Sequence, residues 1–321
     1  MQLPVALRRA VDREVDSCNT AQLRAAALRL SQSYREANAA SALISDVDRA
    51  AYLAVRLPAT CAAVTRALQW TRENFSEDIH SLLDLGSGPG TALWAAAEQL
   101  PALDSCTALE RDARFAALGQ RLAQQAEHPA LRNTKWITAD LSAGLPQGQW
   151  DLVLCSYALN ELSAAQRGKL VAEAWSHAAK LLVVIEPGTK TGFANLSAAR
   201  QQLLAASAHI VAPCPHTQAC PMQQNADWCH FAARVERTSD HRRLKDAALG
   251  HEDEKFSFIA FARQPLAVEP HARIVRHPQI ASGYTQISLC TPEGTLVRTT
   301  VTRSQKDDWR RLKRLSWGDR W

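Results

Sequence analysis

The chain has 321 residues, of which 46% are hydrophobic and 21% charged, with a formal net charge of +5. That composition supports one large core, or a core with appended lobes, and excludes a chain dominated by disorder. No apolar run reaches the roughly 18 residues of a membrane span, and Asp12, Glu14 and Asp16 among the first arginines argue against a secretory signal or transit peptide. The expected compartment is therefore the cytoplasm, where eight cysteines point to thiols or metal ligands rather than disulfides.

Residues 1–75 have helical spacing. Leu23, Ala26, Ala27 and Leu30, and then Ala51, Leu53, Ala54 and Leu57, recur at intervals that put apolar groups on one helix face. Pro58 marks a break before Cys61–Trp70 resumes the period. The expectation is an N-terminal helical lobe over 1–75. Arg56, beside the break, suits a phosphate or, more simply, an acid partner.

From about residue 76, short apolar runs alternate with helical ones, the pattern of a parallel sheet covered on both faces. The first run, Ser81-Leu-Leu-Asp84-Leu-Gly86-Ser-Gly88-Pro-Gly90-Thr91, reads as a strand, a tight glycine turn and a helix N-terminus. Backbone N–H groups left free at such a terminus hold an anionic or polar ligand. Position 91 is Thr where the dinucleotide fingerprint has its third glycine. The order Asp-x-Gly-x-Gly-x-Gly instead resembles motif I of the class I S-adenosylmethionine-dependent methyltransferases, which makes Asp84, Gly86, Gly88 and Gly90 candidate cofactor residues.

Cys106–Glu110 is a second strand ending in an acid, at the distance where such folds place a carboxylate on a ribose diol, so Glu110 is the candidate ribose ligand. Lys135–Asp140 closes on another acid. The resemblance to methyltransferases sets Asp140 beside the adenine amine, whereas strand-end chemistry alone makes it a turn or cap residue. Trp150–Ser156 is a fourth strand, and its exit, Tyr157-Ala-Leu-Asn160-Glu161-Leu162, lies at the carboxyl end of the sheet, where open α/β sheets put their ligands. Asn160 and Glu161 are the candidate catalytic residues, as the polar groups nearest a transferable methyl. A fifth strand, Leu181–Glu186, ends in Pro187-Gly188. The Asn/Asp-Pro-Pro-aromatic motif of amino-group methyltransferases does not follow the fourth strand, so no general base is assigned. The fold class is α/β: a class I methyltransferase (Rossmann-like) doubly wound sheet over 76–263.

Four cysteines, Cys18, Cys61, Cys106 and Cys155, sit in apolar helical or strand-like surroundings and read as small buried hydrophobes. The loop over 212–231 differs. It holds Cys214, Cys220 and Cys229 among prolines, with no hydrophobic period to offset its ordering entropy, so a bound metal explains how it folds. A tetrahedral site needs a fourth ligand, and Cys290, His216 and His230 are the candidates. Zinc and an iron–sulfur cluster both accept four thiolates. The spacings are neither the paired C-x2-C knuckles of zinc ribbons nor the triad of radical S-adenosylmethionine enzymes.

Beyond the loop, Val235–Lys245 is a basic stretch suited to a phosphate backbone or to an exposed helix face. Glu252-Asp253-Glu254 precedes an aromatic-rich strand, Phe256–Ala262, and should cap it or pair with nearby arginines. Residues 264–321 form a C-terminal element with ten Lys/Arg against five Asp/Glu. Within it Tyr284–Cys290 and Thr295–Val301 read as a β-hairpin. The tail Arg303–Trp321 interleaves Trp309, Trp317 and Trp321 with seven Lys/Arg. Such a tail contacts phosphates and stacks on unpaired bases, which suits RNA better than duplex DNA, or it docks on its own domain.

The set Leu-Asp-Leu-Gly-Ser-Gly-Pro-Gly, Ser-Tyr-Ala-Leu-Asn-Glu-Leu, Ile-Glu-Pro-Gly-Thr, Ala-Pro-Cys-Pro-His, Trp-Cys-His-Phe and Glu-Asp-Glu-Lys-Phe-Ser-Phe resembles the mitochondrial small-ribosomal-subunit methyltransferase-like proteins and their bacterial relatives, over roughly residues 50–321. The resemblance implies a class I methyltransferase fold, with S-adenosylmethionine as the expected cofactor, and the small ribosomal subunit and its ribosomal RNA as partners; neither a membrane nor DNA is expected from the residues themselves. The resemblance also implies a [4Fe-4S] cluster on Cys214, Cys220, Cys229 and Cys290, selecting Cys290 over the histidines and iron over zinc. Three functions follow: an RNA methyltransferase, an assembly factor without turnover, or a small-molecule methyltransferase stapled by zinc.

Overall fold

Among the described residues, four helices precede the first strand: α1 (Val5–Asp16), α2 (Thr20–Arg35), α3 (Asp46–Val55) and α4 (Leu57–Arg72). The computed structural model describes residues 1–35, 45–224, 227–237 and 249–321. From 238 onward, the basic stretch expected to reach 245 lies outside the described residues. Ser45 starts α3 with a reciprocal capping box: its hydroxyl accepts the Asp48 N–H and the Asp48 carboxylate accepts the Ser45 N–H. Pro58 does not end a helix; it falls in the first turn of α4, where its fixed φ and missing N–H cost nothing.

The α/β region runs β1 (Ser81–Leu85), α5 (Thr91–Gln99), β2 (Ser105–Glu110), α6 (Ala113–Ala123), a short α7 (Pro129–Arg132), β3 (Lys135–Thr138), β4 (Trp150–Ser156), α8 (Ala164–His177), β5 (Ala178–Pro187), α9 (Lys190–Ala205) and β6 (His209–Ala212). A short α10 (Pro221–Gln224), β7 (Phe231–Glu236) and β8 (His251–Ala262) follow. The sheet order is β3-β2-β1-β4-β5-β8-β6, with β7 also paired to β8. Strands β1 to β5 are parallel and β8 is antiparallel to β5, β6 and β7, which is the doubly wound class I methyltransferase arrangement expected from the sequence. Strand order reverses between β1 and its neighbours β2 and β4, which opens a crevice at the carboxyl ends.

Both faces of the sheet are buried because successive strand residues alternate sides. Leu83, Val153 and Leu182 join the core under α8 and α9, while Leu82, Leu152 and Val183 join the other. That second core also contains Leu7, Leu30, Leu57 and Leu68, so the helices over 1–75 share one continuous apolar interior with the sheet and form its wall.

Strand β7 and the first half of β8 were not expected as strands. The acids at 252–254 neither cap nor precede β8 but lie within it, and each meets an arginine: Glu252 with Arg237, Asp253 with Arg234, Glu254 with Arg56. Arg56 is thus held by an acid.

The C-terminal element contains β9 (Arg273–Ile274), β10 (Gln279–Ile280), β11 (Tyr284–Cys290), β12 (Leu296–Thr302) and α11 (Lys306–Leu312). The expected hairpin is β11–β12, paired from Tyr284–Thr302 to Cys290–Leu296. The tail folds back on the protein. Trp317 is buried, and the Gly318 N–H and Asp319 carbonyl bond the backbone of Ile274 at 2.8 and 3.0 Å. Gly318 has φ +99°, and a Cβ there would come within 2.1 Å of the Trp70 ring, so only glycine lets the chain pass. Trp309 lies under Arg303 and Lys313, and Trp321 under Arg311. Trp317 is therefore occupied internally and the other two indoles are half-buried beneath cations, while Arg310 and Arg314 are exposed.

Candidate cofactor crevice and thiol cavity

The glycine turn between β1 and α5 is shaped by left-handed backbone. Gly86 has φ +67°, and a Cβ on it would lie 2.9 Å from the Ala158 Cβ at the exit of β4. A side chain there meets both a strained φ and a clash. Gly90, at φ +77°, is the N-cap of α5. At the end of β2 the Glu110 carboxylate ties the turn to the next loop, accepting the Gly88 N–H and the Asp112 N–H at 2.8 Å each. Burial raises the Glu110 pKa, and these two backbone donors oppose the rise. Each of its oxygens keeps a further lone pair for a ligand hydroxyl.

These groups border a cavity of about 160 Å³ at the switch point, whose walls include Gly86, Gly88, Glu110, Asp140 and Glu161. Asp84 does not line it. It is wholly buried under the turn, neither carboxylate oxygen has a hydrogen-bond partner among the described residues, and burial, with Glu110 nearby, pushes it up to about 8. Asp140 caps the short helical turn Leu141–Ala143 by accepting the Ser142 N–H at 2.7 Å, which holds its pKa down, and it still lines the cavity.

The two exit-loop candidates diverge. Asn160 turns toward α9, where its Oδ1 accepts from Asn195 Nδ2 at 2.7 Å. Asn195 also donates to the buried Glu186 at 3.2 Å, whose other oxygen accepts the Leu159 N–H at 3.1 Å. Burial pushes Glu186 up to about 7. Glu161 lines the crevice but is held by Arg111 at 2.8 Å. Burial raises its pKa and Arg111 opposes that.

One wall escaped the sequence reading because it comes from the helices that precede the sheet. Tyr52 on α3 meets Phe115 on α6 edge-on, with ring centroids 5.0 Å apart, and both line the crevice. Arg49, buried on α3, grips Asp112 at 2.5 Å, and Asp112 in turn caps α6. The helical region thus closes one side of the site. Tyr157 takes φ +60° and donates its hydroxyl to Glu254 at 3.2 Å, joining the crevice to the Arg56–Glu254 pair.

Cys214, Cys220, Cys229 and Cys290 line one cavity of about 50 Å³, although they lie after β6, before α10, before β7 and at the end of β11. Among the described residues no three His, Cys, Asp or Glu side chains are grouped as a single metal ion requires. Burial pushes the Cys214 thiol up, Cys229 well above the usual thiol range and Cys290 up to about 12, and the neighbouring sulfurs add to each rise. Four sulfur donors facing one cavity are the donor set that a thiolate-held metal centre takes, and ionisation of the thiols is then linked to binding of that centre. His216 shares the cavity, with its Nε2 3.4 Å from Cys290 Sγ. His230 does not line it: it stacks on Trp228 and packs edge-on to Trp317. Cys61, Cys106 and Cys155 are buried in the two main cores.

Residues 46–321 match the family model described as mitochondrial small ribosomal subunit Rsm22. The chain belongs to the Rsm22 family. Among its family relatives, the human ribosome assembly protein METTL17, mitochondrial, is 28% identical over 289 residues, covering 84% of this chain and 61% of that protein. The mitochondrial Rsm22-cox11 tandem protein 2 of Schizosaccharomyces pombe is 26% identical over 336 residues, covering 86% of this chain and 43% of that one. This Rsm22-family chain therefore spans less than two thirds of the length of either. Among solved structures, magnesium protoporphyrin IX methyltransferase from Synechocystis with bound S-adenosylmethionine aligns at a TM-score of 0.42 and 14% identity, over 64% of this chain and 80% of that one.

Proposed function

We propose that this chain is a small-ribosomal-subunit assembly factor that binds S-adenosylmethionine in the β1–β2–β4 crevice and a [4Fe-4S] centre on Cys214, Cys220, Cys229 and Cys290. The observation that carries the reading is the convergence of four thiols, three from the connections around α10 and one from β11, on one cavity, in a chain whose family match runs from 46 to 321. When bound, the cofactor supplies an electrophilic methyl. The chain's own residues would receive it: Glu110 a ribose diol, Asp140 a polar base edge, Tyr52 and Phe115 the flat ring between them.

The side chains favour binding over turnover. Every carboxylate on the crevice wall is already engaged: Glu110 by two N–H groups, Asp112 by Arg49, Asp140 by Ser142 and Glu161 by Arg111. Proton abstraction needs a base within reach of the nucleophile, and these are held. In this reading the exposed Arg310 and Arg314 meet ribosomal RNA phosphates. The burial of Trp317 and the cations lying over Trp309 and Trp321 support phosphate contact rather than base stacking.

The test is anaerobic purification with iron, sulfide and zinc quantified, followed by sedimentation with small-subunit particles and incubation of their RNA with methyl-labelled cofactor. Iron and sulfide together, with co-sedimentation and no labelled RNA, are the expected result. Labelled RNA would restore the methyltransferase reading. Zinc without iron and no co-sedimentation would leave the zinc-stapled small-molecule methyltransferase.

A further inference from the structure

Two guanidinium groups line the thiol cavity together with the four cysteines: Arg200 on α9 and Arg273 on β9. They are 7% and 3% exposed. A buried cation is costly unless an anion offsets it. Arg273 has a shared anion, since Glu73 lies 3.7 Å away and is also held by Arg320 at 2.7 Å. Arg200 differs. Its Nη2 donates to the carbonyl oxygens of His216 at 2.9 Å and Gln218 at 2.7 Å, its side chain also hydrogen-bonds the Cys214 thiol, and among the described residues no carboxylate pairs with it.

Neutral thiols give such a cation little to balance. A centre held by four thiolates does, because the thiolates carry more negative charge than an iron–sulfide core returns. Resting on the cluster reading above, we propose that Arg200 and Arg273 are the counter-cations of that centre, and that Arg200, whose charge no carboxylate shares, dominates in setting its reduction potential and its hold on iron. Reduction adds an electron to an already negative site, so a fixed neighbouring cation favours the reduced form. Glu73 acts in the opposite sense by offsetting part of the charge on Arg273.

The experiment uses the full chain, purified anaerobically, loaded with iron and sulfide, and titrated potentiometrically through its visible absorption. Arg200→Gln is expected to shift the midpoint potential negative and to speed iron loss to a chelator by roughly 10- to 100-fold. Arg200→Lys keeps the charge but loses the fork to the two carbonyls, and should stay near the wild-type potential. Glu73→Gln, on the surface, should move the potential positive. A wild-type potential in Arg200→Gln overturns the proposal, and so does Arg200→Lys moving as far as Arg200→Gln, since loop geometry rather than charge would then be at work. If Arg200→Gln does not fold, an unchanged or lowered potential in Glu73→Gln overturns it. Failure of the wild type to take up iron and sulfide defeats the cluster reading itself, and this one with it.

Discussion

The crevice and the thiol cavity are built in opposite ways. The crevice is assembled mainly from consecutive strand ends, and its defining contacts are backbone ones: three left-handed glycines and a carboxylate bonded to two N–H groups. The thiol cavity is assembled from side chains as far apart as positions 214 and 290, with buried cations beside them. A site made of backbone is specified by short motifs and holds its shape alone. A site made of distant side chains depends on what binds there to neutralise them.

The widest break in that contrast comes from Cys290→Ser, which should take bound iron to background in elemental analysis while cofactor binding at the crevice survives. Iron retained there but lost in His216→Ala would make His216 the fourth ligand. Next in size is Asp84→Asn. Asp84, pushed up to about 8 from 3.8, binds more protons folded than unfolded, so its contribution to stability is full below about 3.8 and declines as pH rises toward about 8. The slope is about 1.4 kcal/mol lost per pH unit, and the variant should lack it in urea unfolding of the cofactor-free chain between pH 5 and 7. Glu110→Gln should weaken S-adenosylmethionine by about 1.5–3 kcal/mol in calorimetry, the worth of a hydrogen bond to a charged group. Gly86→Ala, strained at φ +67°, should cost about 1–3 kcal/mol in thermal or urea unfolding. The smallest effect belongs to His230→Ala, whose iron content should match the wild type because the ring stacks on Trp228, away from the cavity.

The same contrast governs what could be read in advance. The glycine turn, Glu110 and the five parallel strands were legible because strand, turn and helix signals are local. The cysteines were legible as unusual, and the family resemblance named the set, but spacing alone left His216 and His230 open. Tyr52, Arg49, Arg200 and Arg273 were not legible as site residues. Each is an ordinary helix or strand residue whose role exists only once α3, α9 or β9 is packed in place. The tail tryptophans left base stacking and docking on the domain both open, because an indole packed against His230 or His277 has the same sequence signature as an exposed one. The acids of β8 pair with arginines, one of the two alternatives the sequence left open, but it placed them before the strand because their partners stand on other elements.

Strand β8 touches both sites. Glu254, near one end, receives Tyr157 and Arg56 beside the crevice, while three residues on the Ser257 hydroxyl donates to the Cys229 carbonyl at 2.7 Å and Phe258 lines the thiol cavity. Alternation along a strand admits no intermediate setting: a one-residue slip would swing Glu254 to the opposite face and release Cys229 in the same movement. The crevice and the cysteine loop are therefore geared to a single shaft where the register of β8 is concerned, although the loss of one thiol leaves that shaft where it stands.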